Sequence, residues 1–210
     1  VLVHDAGAIV ATRTLAGAFA RMAEPGLKAR QPPSTRPATG IEATLAVDVV
    51  GPLLLTLLLA PRLAETGGRV VSLAGQYYRR GHLDLDDLDF SRRPYNASTA
   101  NAQAQRGRVL IMREAARRLP GITSVAVHPG AVRTAPLARA PWIIRALVAT
   151  VMRPAFVRPE LGAMPVLRLA TTSNPPSGAM FDRFTRDAHA DHLDPELGRL
   201  FWDACERLVA

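Results

Sequence analysis

The chain has 210 residues, 48% apolar and 21% charged, the balance of a globular protein that buries a core and not of a disordered chain. Its one cysteine, Cys205, excludes an intramolecular disulfide and suits a reducing, cytoplasmic setting. The net charge of +8 does not read as a nucleic-acid surface, because Lys28 is the one lysine among 26 basic residues, the arginines are scattered, and no aromatic residues interleave with them.

In chain order, "VLVHDAG" (1–7) reads as a buried strand closed by Gly7. A domain rarely opens inside a buried strand, so the expectation is that Val1 is not the natural start. Residues 8–39 combine a partly helical stretch with the Pro-rich "QPPSTRPATG" and read as an insertion or linker. From Gly40 a long helix is predicted through "IEATLAVDVVGPLLLTLLLAPRLAE" (41–65), apolar nearly all round, with Pro52 as a candidate kink. "GGRVVSLAG" (67–75) is a strand introduced by a Gly-Gly turn. A polar loop containing "HLDLDDLDF" leads to a helix over 98–119, and "GITSVAVHPGAVRT" (121–134) is a strand through Val127 followed by a Pro-Gly break.

Residues 136–158, with Trp142, Ile143, Ile144 and Arg145, read as amphipathic cover over a pocket, a lid or packing element. "PELGAMPVLRLAT" (159–171) is helical with Pro159 in its first turn, "SGAMFD" (177–182) is a short strand, and the last helix (194–210) has Asp194 as its N-cap. The apolar runs "GPLLLTLLLA" and "PWIIRALVATVM" are each shorter than the roughly 20 residues that span a bilayer, so no transmembrane segment is expected. No basic-then-apolar leader is seen at the start of the sequence. Four strands alternating with helices predict one α/β domain over 1–210 with a parallel sheet.

Several of these stretches resemble the short-chain dehydrogenase/reductase family, particularly its retinol-dehydrogenase-like branch. "VLVHDAG" is similar to the family strand ending in Asn-Asn-Ala-Gly, and "GIEATLAVDVVGPLLLT" to the following helix with its Asn-x-x-Gly core. "RVVSLAG" corresponds to the strand ending at a catalytic serine, "HPGAVRT" to the Pro-Gly-x-x-x-Thr turn at the nicotinamide, and "VLIMREAARRL" to the back half of the catalytic helix. The resemblance covers most of residues 1–7 and 40–210 and implies a partial Rossmann-like sheet, the C-terminal part of a doubly wound dinucleotide-binding fold. The family's opening Gly-x-x-x-Gly-x-Gly turn, where glycines and a helix N-terminus hold the pyrophosphate, occurs nowhere in these residues.

The family couples hydride transfer to proton transfer through a tyrosine beside a lysine, a serine and an asparagine. Carried over place by place, the asparagine falls on Asp48, the serine on Gly75, the tyrosine on Asn101 and the lysine on Gln105. Amides do not titrate near neutrality. The resemblance thus implies a degenerate member without independent NAD(P)-dependent redox activity. Ala6, Gly7, Pro129, Gly130 and Thr134 would form a vestigial or partial cofactor site that binds NAD(P) weakly or not at all. Tyr77, Tyr78 and His4 are possible substitute proton carriers. An active alcohol or carbonyl oxidoreductase on an apolar substrate is one alternative, and a repurposed non-redox enzyme using His4 or Asp48 is another.

His4, Asp5 and Asp48 could together move a proton or bind a metal, and "HADH" (His189, Asp191, His192) hints at a metal too. The preferred reading of the first three is tolerated replacement, and of the last, exposed loop residues, so no metal site is assigned. The expected partners are an apolar small molecule and either a second copy, through helices 41–65 and 98–119, or a protein covering the first strand's edge.

Overall fold

The computed structural model describes residues 1–5, 41–132, 150 and 156–209. The stretches read as an insertion (8–39) and most of the amphipathic cover (136–158) lie outside the described residues, as do Ala6, Gly7 and Thr134. The helical, strand and turn elements that are described follow the predicted alternation: β1 (Leu2–His4), α1 (Ala43–Glu65), β2 (Arg69–Leu73), α2 (Ala97–Arg118), β3 (Thr123–His128), β4 (Ala131–Val132), β5 (Phe156–Val157), α3 (Pro159–Thr171), β6 (Met180–Asp182), β7 (Thr185–Arg186) and α4 (Pro195–Val209). Short 3-10 turns cover Gln76–Arg79 and Ala188–His192.

The main sheet runs β1-β2-β3-β6-β7. Its first four strands are parallel, with His4 beside Ser72, Ser72 beside Ala126, and His128 beside Asp182. The sequence reading found those four and missed three more. β7 folds back antiparallel on β6, and β4 pairs with β5 in a separate two-residue ladder. Two-residue strands carry too little periodicity to be read from a pattern.

Side chains alternate across each strand, and the two faces of the sheet are covered unequally. Leu2, Val70, Ala126 and Met180 face a large core made with α1, α2 and α4, whose Leu53, Leu110, Phe201 and Trp202 are fully buried. Val71, Val125 and Val127 point the other way, into a smaller cluster under Leu169 and Val166 of α3.

Helix α1 differs most from its prediction. It starts at Ala43 and not at Gly40, because the buried Glu42 caps it, its carboxylate accepting from Thr44 N (2.9 Å) and Leu45 N (2.7 Å). Residues Ala46–Val50 form a π turn, in which Gly51 N donates to Ala46 O, before α-helix resumes through Glu65. The apolar run of ten residues is therefore part of a 23-residue helix, long and apolar enough by length and composition to cross a membrane. Its inner face is packed into the core with Asp48 and Thr56 among the buried residues. The helix stops where Gly67 takes φ +56° and Gly68 N returns to Leu63 O at 2.6 Å, the geometry the Gly-Gly pair announces. Asn96 caps α2 through Ser98 N and Thr99 N, and Asp194 caps α4 through Glu196 N as predicted.

Candidate functional site

In an open parallel sheet, ligands bind outside the carboxyl ends of the strands. Here those ends carry His4 and Asp5 after β1, Gly75 after β2, and His128, Pro129 and Gly130 after β3, with the N-terminal half of α2 and the π turn of α1 alongside. Asp48, Gly75, Asn101 and Gln105 do meet, but they meet each other. Gly75 N donates to Gln105 Oε1 at 2.7 Å, and Gln105 Nε2 lies 3.3 Å from Asp48 Oδ2 and 3.2 Å from Asn101 Oδ1. Asp48 is 1% exposed and both amides are buried. The single amide of Gln105 thus ties together the other three family positions.

The fifth member escaped the sequence reading, which saw no cation in this pocket. Arg108 is buried, and its Nη2 lies 3.3 Å from Asp48 Oδ1. Its Nε donates to Asp48 O (2.7 Å) and its Nη1 to Leu73 O (2.5 Å). The chemistry of α1 explains the first of these carbonyl bonds: Pro52 has no N–H to offer the carbonyl four residues back, and the guanidinium takes it. Burial lowers the Arg108 pKa, with Asp48 and Asp5 opposing, and a guanidinium so held remains a cation. Two signals could have revealed it. Residues 101, 105 and 108 follow the i, i+4, i+7 spacing of one helix face, and Asp48 stands four residues before Pro52.

His4 is buried, its Nε2 3.2 Å from Thr56 Oγ1, which itself donates to Pro52 O at 2.8 Å. Thr56's one proton is committed, so the imidazole carries its hydrogen on Nε2. Its Nδ1 has no partner among the described residues. Burial first, and the Arg108 charge second, depress the His4 pKa to about 4, which leaves the ring neutral near pH 7. His128 is also held below the usual histidine range, by burial above all, although Asp182 opposes the shift. The charges of Asp48 and Asp5 act on the Arg108 guanidinium and oppose the lowering of its pKa.

The two tyrosines after β2 diverge. Tyr77 is 56% exposed, whereas Tyr78 is fully buried, its hydroxyl donating to Asp187 Oδ2 at 2.6 Å. Arg79 Nη2 donates to the same oxygen at 2.8 Å. Burial and the bond to Asp187 push the Tyr78 phenol well above its ordinary range. Tyr95, in the loop before α2, reaches Glu42 Oε1 (3.1 Å) and is pushed up to about 12 by burial and that carboxylate. Arg79 lies beside Tyr78 and opposes that rise, but burial and Asp187 outweigh it. The Pro129-Gly130 turn adopts φ +94° at Gly130, a conformation natural to glycine, and Arg183 N donates to His128 O beside it. His189, Asp191 and His192 are exposed, and Asp191 pairs with Arg186 at 3.0 Å.

No family model matches the sequence. Human retinol dehydrogenase 13 is 35% identical over 181 residues, an alignment covering 81% of this chain and 54% of that protein. A solved protein from Mycobacterium paratuberculosis superposes with a TM-score of 0.59 at 22% identity, covering 82% of this chain and 60% of its own. A short-chain dehydrogenase/reductase from Saccharomyces cerevisiae superposes with a TM-score of 0.51 at 13% identity, covering 80% of this chain and 67% of its own. These two likenesses are of fold. The chain spans about half the length of the curated relatives it matches over most of its own length.

Proposed function

Because this chain belongs to the short-chain dehydrogenase/reductase family, on its retinol-dehydrogenase-like side, we propose that it is a degenerate member that carries out no NAD(P)-linked redox chemistry by itself. It keeps the family crevice as a site for an apolar small molecule. The observation that carries this reading is the closed network of Gln105 with Gly75, Asn101 and Asp48, backed by Arg108. Proton transfer alongside a hydride needs a group that gains and loses a proton near working pH, within reach of the reacting oxygen. Amides and a guanidinium do not, Tyr78 is held by Asp187, and the Gln105 amide spends its hydrogen bonds inside the protein. This donor set does not fit a bound NAD(P), whose nicotinamide end would need a free cation and hydroxyl here.

The second reading, an active alcohol or carbonyl oxidoreductase, draws support from the relatives' names and from the retained Pro129-Gly130 turn. Calorimetric titration of the folded chain with NADH and NADPH, followed by turnover assays on apolar alcohols and ketones, separates the two. Weak or absent binding without turnover is expected. Saturable micromolar binding with repeated turnover would replace the first reading by the second.

A further inference from the structure

We infer that the cavity between the C-terminal half of α2, the approach to β6 and the first turn of α4 is a binding site for a small phosphate monoester. This goes beyond the reading of the crevice and does not depend on it. The crevice uses Asn101, Gln105 and Arg108 of α2, whereas the cavity takes Arg113 and Arg117. Arg113 stands roughly 12 Å further along the helix axis than Gln105.

The cavity has a volume of about 360 Å³, within the range of small-molecule sites. Leu110, Arg113, Glu114 and Arg117 follow the i, i+3, i+4, i+7 spacing of one helix stripe and form one wall. Arg186 of β7 and Asp191 of the turn at Ala188–His192 form a second. The apolar part lies where Leu110 meets Pro195 and Gly198 of α4, and a Cβ on Gly198 would sit 3.5 Å from Leu110 Cδ2.

Charge selects the occupant. Three guanidinium groups and two carboxylates line this space, which leaves one positive charge in excess. The carboxylates are already matched. Glu114 takes Arg117 on Oε1 and Arg118 on Oε2, each at 3.2 Å, and Asp191 holds Arg186 Nη2 with both oxygens at 3.0 Å. Arg113 has no carboxylate partner among the described residues. Its Nη1 donates to Ala190 O and its Nη2 to Asp191 O. A partly buried cation compensated by carbonyl dipoles alone leaves a demand for an anion. A guanidinium carries five N–H donors, so Arg113 and Arg117 both keep donors uncommitted beside the cavity.

A phosphate group offers oxygens in three directions and matches guanidinium forks that come from two different walls, while a carboxylate presents two oxygens in one plane. The space exceeds what a bare phosphate fills, and the Leu110 end suits the carbon part of an ester. An excess of one charge favours a single phosphate over a polyphosphate chain. Arg117 and Arg186, 63% and 56% exposed, leave the mouth open to solvent.

Calorimetric titration of the full chain with glycerol 3-phosphate, inorganic phosphate and succinate tests this. The expected result is one saturable site for the ester, with a Kd on the order of 0.1–1 mM that weakens with salt. Succinate should bind about fivefold more weakly or worse, and inorganic phosphate more weakly than the ester. Arg117→Gln weakens ester binding by about fivefold or more and Arg113→Gln by about tenfold or more. Arg80→Gln, which removes the same charge outside the cavity, leaves it unchanged. Arg113 also holds the turn at Ala188–His192, so circular dichroism checks the fold of its variant, and the exposed Arg117 decides the outcome if that variant unfolds. Amide shifts in the 15N-labelled chain should move around Arg113, Arg117, Ser177 and Gly178. Shifts confined to His128, Pro129 and Gly130 would place the ester in the crevice and overturn the assignment. Equal weakening by Arg80→Gln and Arg117→Gln, succinate binding as tightly as the ester, or no saturable binding of the ester would overturn it too.

Discussion

At the level of single residues, the Asp48–Arg108 pair decides how the crevice behaves. Both groups are almost wholly removed from water, so each compensates a charge that would otherwise be costly to bury. Removing one partner strands the other, at a cost of about 3–5 kcal/mol, while replacing both with apolar groups of similar size is often nearly neutral. Urea denaturation should therefore show Arg108→Met losing several kcal/mol and the double variant Asp48→Leu/Arg108→Met losing less than that single change. Additive losses would mean the pair is not coupled.

His4 gives a second test, on pH. Its folded pKa of about 4 lies below the unfolded value of 6.5, so between those values the unfolded chain binds a proton that the folded chain does not. Stability is unaffected by this group above pH 6.5, falls as pH drops from 6.5 towards 4, and is then offset by a constant amount. The loss is on the order of 2–3 kcal/mol across that window. His4→Asn should flatten the stability–pH curve between 6.5 and 4. The Asp187 carboxyl acts below that window: burial raises its pKa, but the bonds from Tyr78 and Arg79 outweigh burial and leave it lowered, so its contribution is lost only under stronger acid. If the acid limb of His4→Asn matches that of the parent chain, His4 is not the group responsible.

Among the elements, α2 was the most legible in the sequence and α1 the least. The apolar spacing of "VLIMREAARRL" helps place α2, expected over 98–119 and found over Ala97–Arg118, within a residue at each end. The start of α1 was hidden because Glu42 is an unusual cap, whose fitness depends on being buried beside Tyr95, a residue 53 positions away. Its π turn was hidden because the partner of Asp48 O is Arg108, on another helix. The four family positions were carried over from motif order alone, and the structure brings those residues together. That they would close on one another was not legible, since hydrogen-bond partnership across 57 residues leaves no local pattern.

The α2–α4 contact supplies the element-scale prediction. A Cβ at Gly107 would lie 2.8 Å from Phe201 Cε1 and Cζ and 3.3 Å from Val49 Cγ2. Phe201 is fully buried and cannot swing away cheaply. Overpacking of this kind costs about 1–3 kcal/mol, more than the helix-propensity gain of up to about 1 kcal/mol from replacing glycine. Gly107→Ala should therefore lower the melting temperature, and a second change, Phe201→Leu, should recover part of the loss. A stabilised Gly107→Ala would show that α4 does not seat closely on α2.

For the whole molecule, the uneven covering of the sheet sets where it opens. Val70 and Val71 of β2, and Val125, Ala126 and Val127 of β3, are fully enclosed, between the three-helix face and α3. β1 has three residues and pairs with β2 alone among the described strands, while Val1 and Val3 remain exposed on the α3 side. Parallel strands gain stability when both faces are buried, so the free energy of opening should rise steeply from β1 to β2. Native-state hydrogen exchange should then find the β2 and β3 amides exchanging only through global unfolding. The β1 amides should exchange by local fraying at far lower cost, and β7, with two exposed residues, should do the same. An added strand on the outer edge of β1, from any partner, would erase that difference by raising β1 protection towards the β2 level. Protection of β1 equal to β2 in the isolated chain would mean that its edge is already covered.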